Sequence, residues 1–94
     1  MNLSEEQLSM VEEMAGLFFS PEMIAVNMEL SENDTDYFIL GIKLNSTHIP
    51  MVASYFKGWL ESEITLRKAI KQSALNGSSP SQQMMNNYKR ESKI

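Results

Sequence analysis

The chain has 94 residues, 43% of them hydrophobic, and a net charge of −4. This length suits one small domain, and the hydrophobic fraction excludes a wholly disordered protein. The absence of cysteine excludes disulfides and thiolate metal sites, and no apolar run approaches the ~20 residues of a membrane span. We therefore expect a cytoplasmic protein with no membrane segment.

Three short helices are predicted in the first half of the chain. Ser4 and Gln7 form a capping box, which predicts a helix over residues 4–17. Ser20 is a favourable N-cap ahead of Pro21, and together they predict a second helix over residues 21–29.

The polar cluster at residues 31–34 predicts the start of a third helix over residues 33–44, with a strand fragment around residues 38–42 as the alternative. Two short helices joined by a tight turn, following a first helix, predict a helix-turn-helix. Glu29 stands at the turn position where glycine is usual. The apolar residues of the third helix are Tyr37, Phe38, Leu40 and Ile42.

Residues 50–76 predict one long helix, which Asn76-Gly77 ends. Its apolar residues form two neighbouring stripes, and the rest of the chain is too short to cover both. We therefore expect one stripe to contact another subunit. Glu63 pairs either with Arg67 one turn on or with another subunit. The candidate core and oligomer-interface residues are Val52, Phe56, Trp59, Leu60, Ile64, Leu66 and Ile70.

Ser79 and Gln82 predict a last helix over residues 80–91, with Ser79 as its N-cap. Its apolar face is small, so it must pack on another element to be stable. The sequence thus predicts an all-α fold. A helix-turn-helix-like unit over residues 1–45 and an oligomerisation unit over residues 46–94 together form one compact domain.

Residues able to perform catalysis are scarce. His48 is the only histidine and lies in a polar loop, where a surface position is expected. There is no glycine-rich phosphate loop, no nucleophile turn and no arrangement that would activate a serine. We expect a protein that is not an enzyme and that holds no cofactor and no metal.

Charge is divided along the chain. Residues 1–50 carry nine acidic and one basic side chain, a net charge of −8, and residues 51–94 carry three acidic and seven basic side chains, a net charge of +4. This division indicates either a basic region for nucleic acid or opposite surfaces that attract neighbouring subunits. In the alternative interpretation, the basic side chains only complement helix dipoles and keep the surface soluble. The candidate DNA-binding residues are Arg67, Lys68, Lys71, Lys89 and Arg90, with Asn33 and Lys43 from the third helix.

A helix-turn-helix segment EMAGLFFSPEMIAVNMEL precedes a long helix KGWLESEITLRKAIKQSALNG and a short helix SSPSQQMMNNYK. In this order and spacing the chain resembles the small terminase subunits of tailed bacteriophages and prophages. The resemblance implies a DNA-packaging factor that is not an enzyme. It would form a homo-oligomeric ring in the bacterial cytoplasm, bind double-stranded viral DNA and deliver it to the large terminase subunit.

Two other functions compete with this one. A small, dimeric helix-turn-helix transcriptional regulator would read a palindromic site through its third helix. That helix contains Asn33 and Lys43, but acidic residues surround them and repel phosphate. An acidic protein-interaction module would instead use the N-terminal half to bind a basic partner.

Overall fold

The computed structural model describes residues 1–92, which form five α-helices and no strand. The predicted all-α fold with a long central helix and a short C-terminal helix is therefore confirmed, and the strand alternative around residues 38–42 is wrong because a helix spans it. None of the described helices is both long enough and apolar enough to cross a membrane. In chain order, α1 to α5 are Glu5–Gly16, Pro21–Asn27, Glu32–Lys43, Pro50–Leu75 and Ser79–Glu91.

Serine side chains begin four of these helices. Each serine hydroxyl accepts a hydrogen bond from the backbone N–H three residues later, which satisfies a donor that the helix leaves free. The predicted capping box of α1 is present, with Ser4 N–H donating to Gln7 Oε1 at 2.8 Å. The four N-cap residues are Ser4, Ser20, Ser31 and Ser78.

The predicted N-cap of the last helix, Ser79, is wrong by one residue. Ser78 N–H donates to the Ser73 carbonyl and closes α4, while its hydroxyl accepts from Ser81 N–H and opens α5. One residue therefore serves both helix ends. Pro80 then falls in the first turn of α5, where its missing N–H costs no hydrogen bond.

The first four helices end in the same way, with a left-handed residue just past the cap. At the end of α2, Glu29 N–H donates to Val26 O and Leu30 N–H donates to Ala25 O, both at 3.1 Å. This is the Schellman arrangement, in which glycine is usual. Here the left-handed residues are Phe18, Glu29, Asn45 and Gly77, with φ of 63°, 55°, 54° and 95°.

The structure divides into two compact units, with the boundary inside α4 between Ser62 and Glu63. The first unit contains α1, α2, α3 and the N-terminal half of α4, and the second contains the rest of α4 with α5. The predicted helix-turn-helix-like unit at residues 1–45, the oligomerisation unit at residues 46–94 and their union in one compact domain stay predictions.

The first unit is built on a core to which α1, α2, α3 and α4 all contribute. The small Ala25 of α2 is fully enclosed, and Phe56 and Trp59 of α4 pack against the core from its edge. Tyr55 meets Phe38 edge to face, with ring centroids 6.1 Å apart. The core residues are Val11, Ala15, Ile24, Ala25, Phe38, Ile49, Met51 and Val52.

Helices α1 and α4 approach each other closely where Gly58 faces Glu12. A Cβ atom at position 58 would overlap the Glu12 carbonyl oxygen and lie 2.7 Å from its carbon. Beside this contact, Lys57 Nζ lies 3.3 Å from Glu12 Oε1. Glycine is therefore required at position 58 for the two backbones to meet.

In the second unit, Arg67 connects α4 to α5. Its guanidinium carbon lies 3.8 Å from the centre of the Tyr88 ring, and its Nε donates to Glu63 Oε1 at 2.9 Å. The predicted Glu63–Arg67 pair is thus present within the chain. Ile70 is the buried residue of this part of α4, whereas the described α5 has no buried residue and depends on such edge contacts.

Candidate functional site

Positive charge is concentrated in the second unit. Residues 1–62 carry ten acidic and two basic side chains, a net charge of −8, and residues 63–94 carry two acidic and six basic side chains, a net charge of +4. Lys93, one of the six, lies outside the described residues. The two packing units therefore carry net charges of opposite sign.

Two of the basic residues, Lys71 of α4 and Lys89 of α5, border a shallow groove of about 250 Å³. Ala74, Leu75 and Met85 supply apolar surface in it, and Lys71 and Lys89 contribute one ammonium group from each helix. Gln82 donates from Nε2 to Ala74 O at 3.1 Å and ties the two helices together. Such a groove can receive a phosphate-bearing backbone, because the ammonium groups attract phosphates whatever the base sequence of the nucleic acid.

The predicted DNA-binding residues of this unit differ in how available they are. Lys68, Lys71, Lys89 and Arg90 are exposed. Arg67 is held against Tyr88 and Glu63. The hydrogen bond to Glu63 raises the pKa of the Arg67 guanidinium above the ordinary value for arginine. Arg67 therefore serves the packing of α5, and the other four are the better candidates for phosphate contacts.

Asn33 and Lys43, the predicted DNA-binding residues of α3, are both exposed but lie near opposite ends of the helix. Ten residues of helix place them ~15 Å apart. The exposed surface between them carries Tyr37, Leu40 and Asp36 rather than groups that read base edges. This helix face is therefore apolar and acidic at its centre.

The predicted core and oligomer-interface residues divide into two groups. Val52 and Ile70 are buried within the chain, and Phe56 and Trp59 are partly buried against the core of the first unit. The remaining three are candidates for contact with another molecule, with 49%, 50% and 44% of their surface exposed. They are Leu60, Ile64 and Leu66.

The exposed apolar face of α3 was not found by sequence reasoning. The buried face of this helix is formed by Phe38 and Gly41, and glycine has no side chain that an apolar pattern could register. A Cβ at position 41 would lie 2.8 Å from Val52 Cγ2, so α3 packs closely on α4 through a glycine. Counting apolar residues therefore does not identify the Gly41 side of α3 as the buried side. The spacing of Tyr37, Leu40 and Leu44 was the available signal.

Residues suited to metal or proton chemistry do not converge. His48 is exposed, and the described residues contain no group of three histidine, cysteine or carboxylate side chains that could hold a metal ion.

The chain matches no protein-family model, no curated protein and no solved structure.

Proposed function

We propose that this chain is a homo-oligomeric DNA-packaging factor of the small terminase type, with no enzymatic activity of its own. The supporting observation is that exposed basic residues are concentrated in the second unit, whereas the first unit is acidic. These residues are Lys68, Lys71, Lys89 and Arg90. In this proposal the oligomer binds double-stranded DNA through its basic units and passes it to the large terminase subunit in the bacterial cytoplasm.

The distribution of charge supports DNA contact by the second unit rather than by α3. Duplex DNA repels each acidic side chain near its phosphates, and the first unit carries ten of them. The face between Asn33 and Lys43 is also short of donors and acceptors for base edges. Both features disfavour the transcriptional-regulator alternative, which requires α3 to enter the major groove.

DNA titration of charge-reversal variants tests the proposal. Four phosphate contacts per chain predict a slope of log affinity against log salt of roughly −3 to −4 per bound subunit. Lys68→Glu and Lys71→Glu should each weaken binding at least tenfold and flatten the slope by about one unit.

Asn33→Ala is the matched control, because it removes an exposed polar side chain from α3 without changing charge. Binding that survives Lys68→Glu and Lys71→Glu but disappears in Asn33→Ala would replace the packaging proposal with the regulator. The oligomer is tested separately by light scattering behind a sizing column, in the absence of DNA.

An acidic interaction module is the second candidate, favoured by the net charge of −8 on the first unit and by its exposed apolar residues. It predicts no DNA binding at moderate salt and retention of a basic protein or peptide instead. Lys68→Glu and Lys71→Glu would then leave that retention unchanged, because both residues belong to the other unit.

A further inference from the structure

Helix α3 carries an apolar stripe that the described chain leaves uncovered. Tyr37, Leu40 and Leu44 are 51%, 54% and 67% exposed, although Phe38 and Gly41 on the other side of the same helix are buried. Their spacing of three and four residues places them in one row along α3, whose C-cap is Leu44. Large apolar side chains aligned in this way are typical of a helix face that packs on a partner.

Two exposed charged residues flank this row in a regular way. Asp36 lies one turn before Leu40, and Lys43 lies one turn after it. The helix therefore carries a negative charge on one side of Leu40 and a positive charge on the other, with apolar residues between them. A face with this order is complementary to itself when the second helix runs in the opposite direction.

We propose that two copies of this chain associate through α3, antiparallel and related by a two-fold axis near Leu40. In this arrangement Leu40 meets its own counterpart, and Tyr37 of one copy lies beside Leu44 of the other. Asp36 of each copy faces Lys43 of the other, which forms two equivalent ion pairs. A parallel arrangement would instead place Asp36 against Asp36 and Lys43 against Lys43.

The contact is of modest size, since one helix face provides less than the ~800 Å² per partner of a standard interface. A dimer formed in this way is expected at micromolar protein concentrations rather than nanomolar ones. Because α3 is then covered, it is not free to enter a DNA groove. The inference rests on the homo-oligomer in the proposed function and names the surface that forms it.

The first test is self-association of the full chain without DNA, measured by sedimentation velocity. Leu40→Glu places two carboxylates together at the axis and should raise the dimer dissociation constant at least tenfold. Leu40→Gln and Tyr37→Ser should weaken the dimer less. Circular dichroism should show unchanged folding in each, because these side chains are half exposed in a single chain.

The decisive test is charge exchange. Asp36→Lys alone and Lys43→Glu alone should each weaken self-association, since each places like charges opposite one another in both pairs. Mixing the two variants should restore dimers, because each pair then has one acid and one base again. A mixture that stays monomeric, or Asp36→Lys that pairs better with the unmodified chain than with Lys43→Glu, would overturn the antiparallel contact.

The outcomes separate this inference from the proposed function. Oligomers that resist Leu40→Glu but dissociate in Leu60→Glu overturn the α3 contact and favour the predicted α4 surface, leaving the packaging proposal intact. Dimers that depend on Leu40 in a chain that binds no DNA support the α3 contact and contradict the DNA proposal. A monomer at every concentration up to millimolar overturns both the contact and the homo-oligomer.

Discussion

Glu29 has a left-handed backbone, with φ of 55°, and its side chain is exposed. A residue with a Cβ atom loses ~1–2 kcal/mol in this conformation, and glycine does not. Glu29→Gly should therefore stabilise the protein by about 1 kcal/mol and raise its melting temperature by ~4–8 °C. Glu29→Ala removes the same charge but keeps the Cβ atom, so it should give no comparable gain in thermal unfolding. Equal gains in both variants would assign the effect to charge.

Gly58 has the opposite requirement, because its missing side chain is what allows α1 to reach α4. Gly58→Ala should destabilise the protein by at least ~2 kcal/mol, since the overlap with Glu12 outweighs the ~1 kcal/mol gain in helix propensity. Urea unfolding measures this. Gly16→Ala is the matched control, because a Cβ there meets the rotatable Ser62 hydroxyl at 2.9 Å and the Gly58 carbonyl oxygen at 3.2 Å, contacts looser than the backbone overlap at position 58. A loss at Gly58 no larger than at Gly16 would contradict the close approach.

Tyr55 predicts a loss of stability at alkaline pH. Burial, and secondly the negative charge of Glu22, raise the pKa of the Tyr55 phenol. In the unfolded chain tyrosine ionises near pH ~10, whereas the folded protein keeps this phenol neutral to higher pH. The unfolded state therefore releases more protons above that pH, and the free energy of unfolding falls as pH rises.

Tyr55→Phe should flatten this alkaline fall, measured by urea unfolding at pH 8 and pH 10.5. Tyr37→Phe removes a half-exposed phenol from the surface and should keep the fall. If the free energy of unfolding falls equally between pH 8 and pH 10.5 in the two variants, burial of Tyr55 is not the cause of the alkaline fall.

At the scale of the elements, α5 depends on Arg67 and Tyr88. The described α5 buries no residue, so it depends on contacts such as the Arg67 guanidinium over the Tyr88 ring and the hydrogen bond from Gln82 to Ala74 O. Tyr88→Ala should increase hydrogen exchange of the α5 amides several-fold. Arg67→Lys should do so partly, because an ammonium keeps the charge near Glu63 but lacks the planar face that covers the ring. Arg90→Ala, an exposed change in α5, should leave exchange unchanged, and an equal increase there would contradict the role of the stack.

The helix starts were predictable from the sequence because their signals are local. Ser4, Ser20 and Ser31 each bond to a backbone donor only three residues away. The helix ends were harder, since Phe18 and Glu29 adopt a conformation that composition assigns to glycine. The residue types at these turns therefore do not predict them.

The sides of the helices were less predictable than their ends. Both Gly41 and Gly58 mark close packing, yet an apolar pattern does not count glycine. Consequently, Tyr37 and Leu40 could be taken for core residues although the structure exposes them. The candidate basic residues were found because charge is visible in the sequence, but the engagement of Arg67 with Tyr88 depends on how two helices meet.

At the scale of the whole molecule, the two units differ in what they can contact. The first unit combines a net charge of −8 with the exposed apolar row of α3, and the second combines a net charge of +4 with a groove between two lysines. Self-association through the first unit leaves the second free for phosphates. Dimerisation would then double the number of basic units on one assembly, which raises the effective affinity for a long duplex.

Salt should act in opposite directions on these two contacts. The proposed dimer joins two units of charge −8, whose mutual repulsion extends ~30 Å at 0.01 M salt but only ~8 Å at 0.15 M. Self-association should therefore strengthen over this range, because the long-range repulsion that screening removes outweighs the small loss at the two exposed Asp36–Lys43 pairs, and the apolar contact at Leu40 remains. DNA binding should weaken over the same range.

Sedimentation velocity measures self-association and DNA titration measures DNA binding. Both are run at the two salt concentrations, which gives the sign of each salt dependence. If self-association instead weakens with salt, opposite charges dominate it. Those charges are either the two Asp36–Lys43 pairs of the α3 dimer or the first unit of one copy against the second unit of the next, a head-to-tail contact that forms rings or filaments. Lys71→Glu separates the two, because it would disrupt the head-to-tail oligomer and would leave the α3 dimer intact.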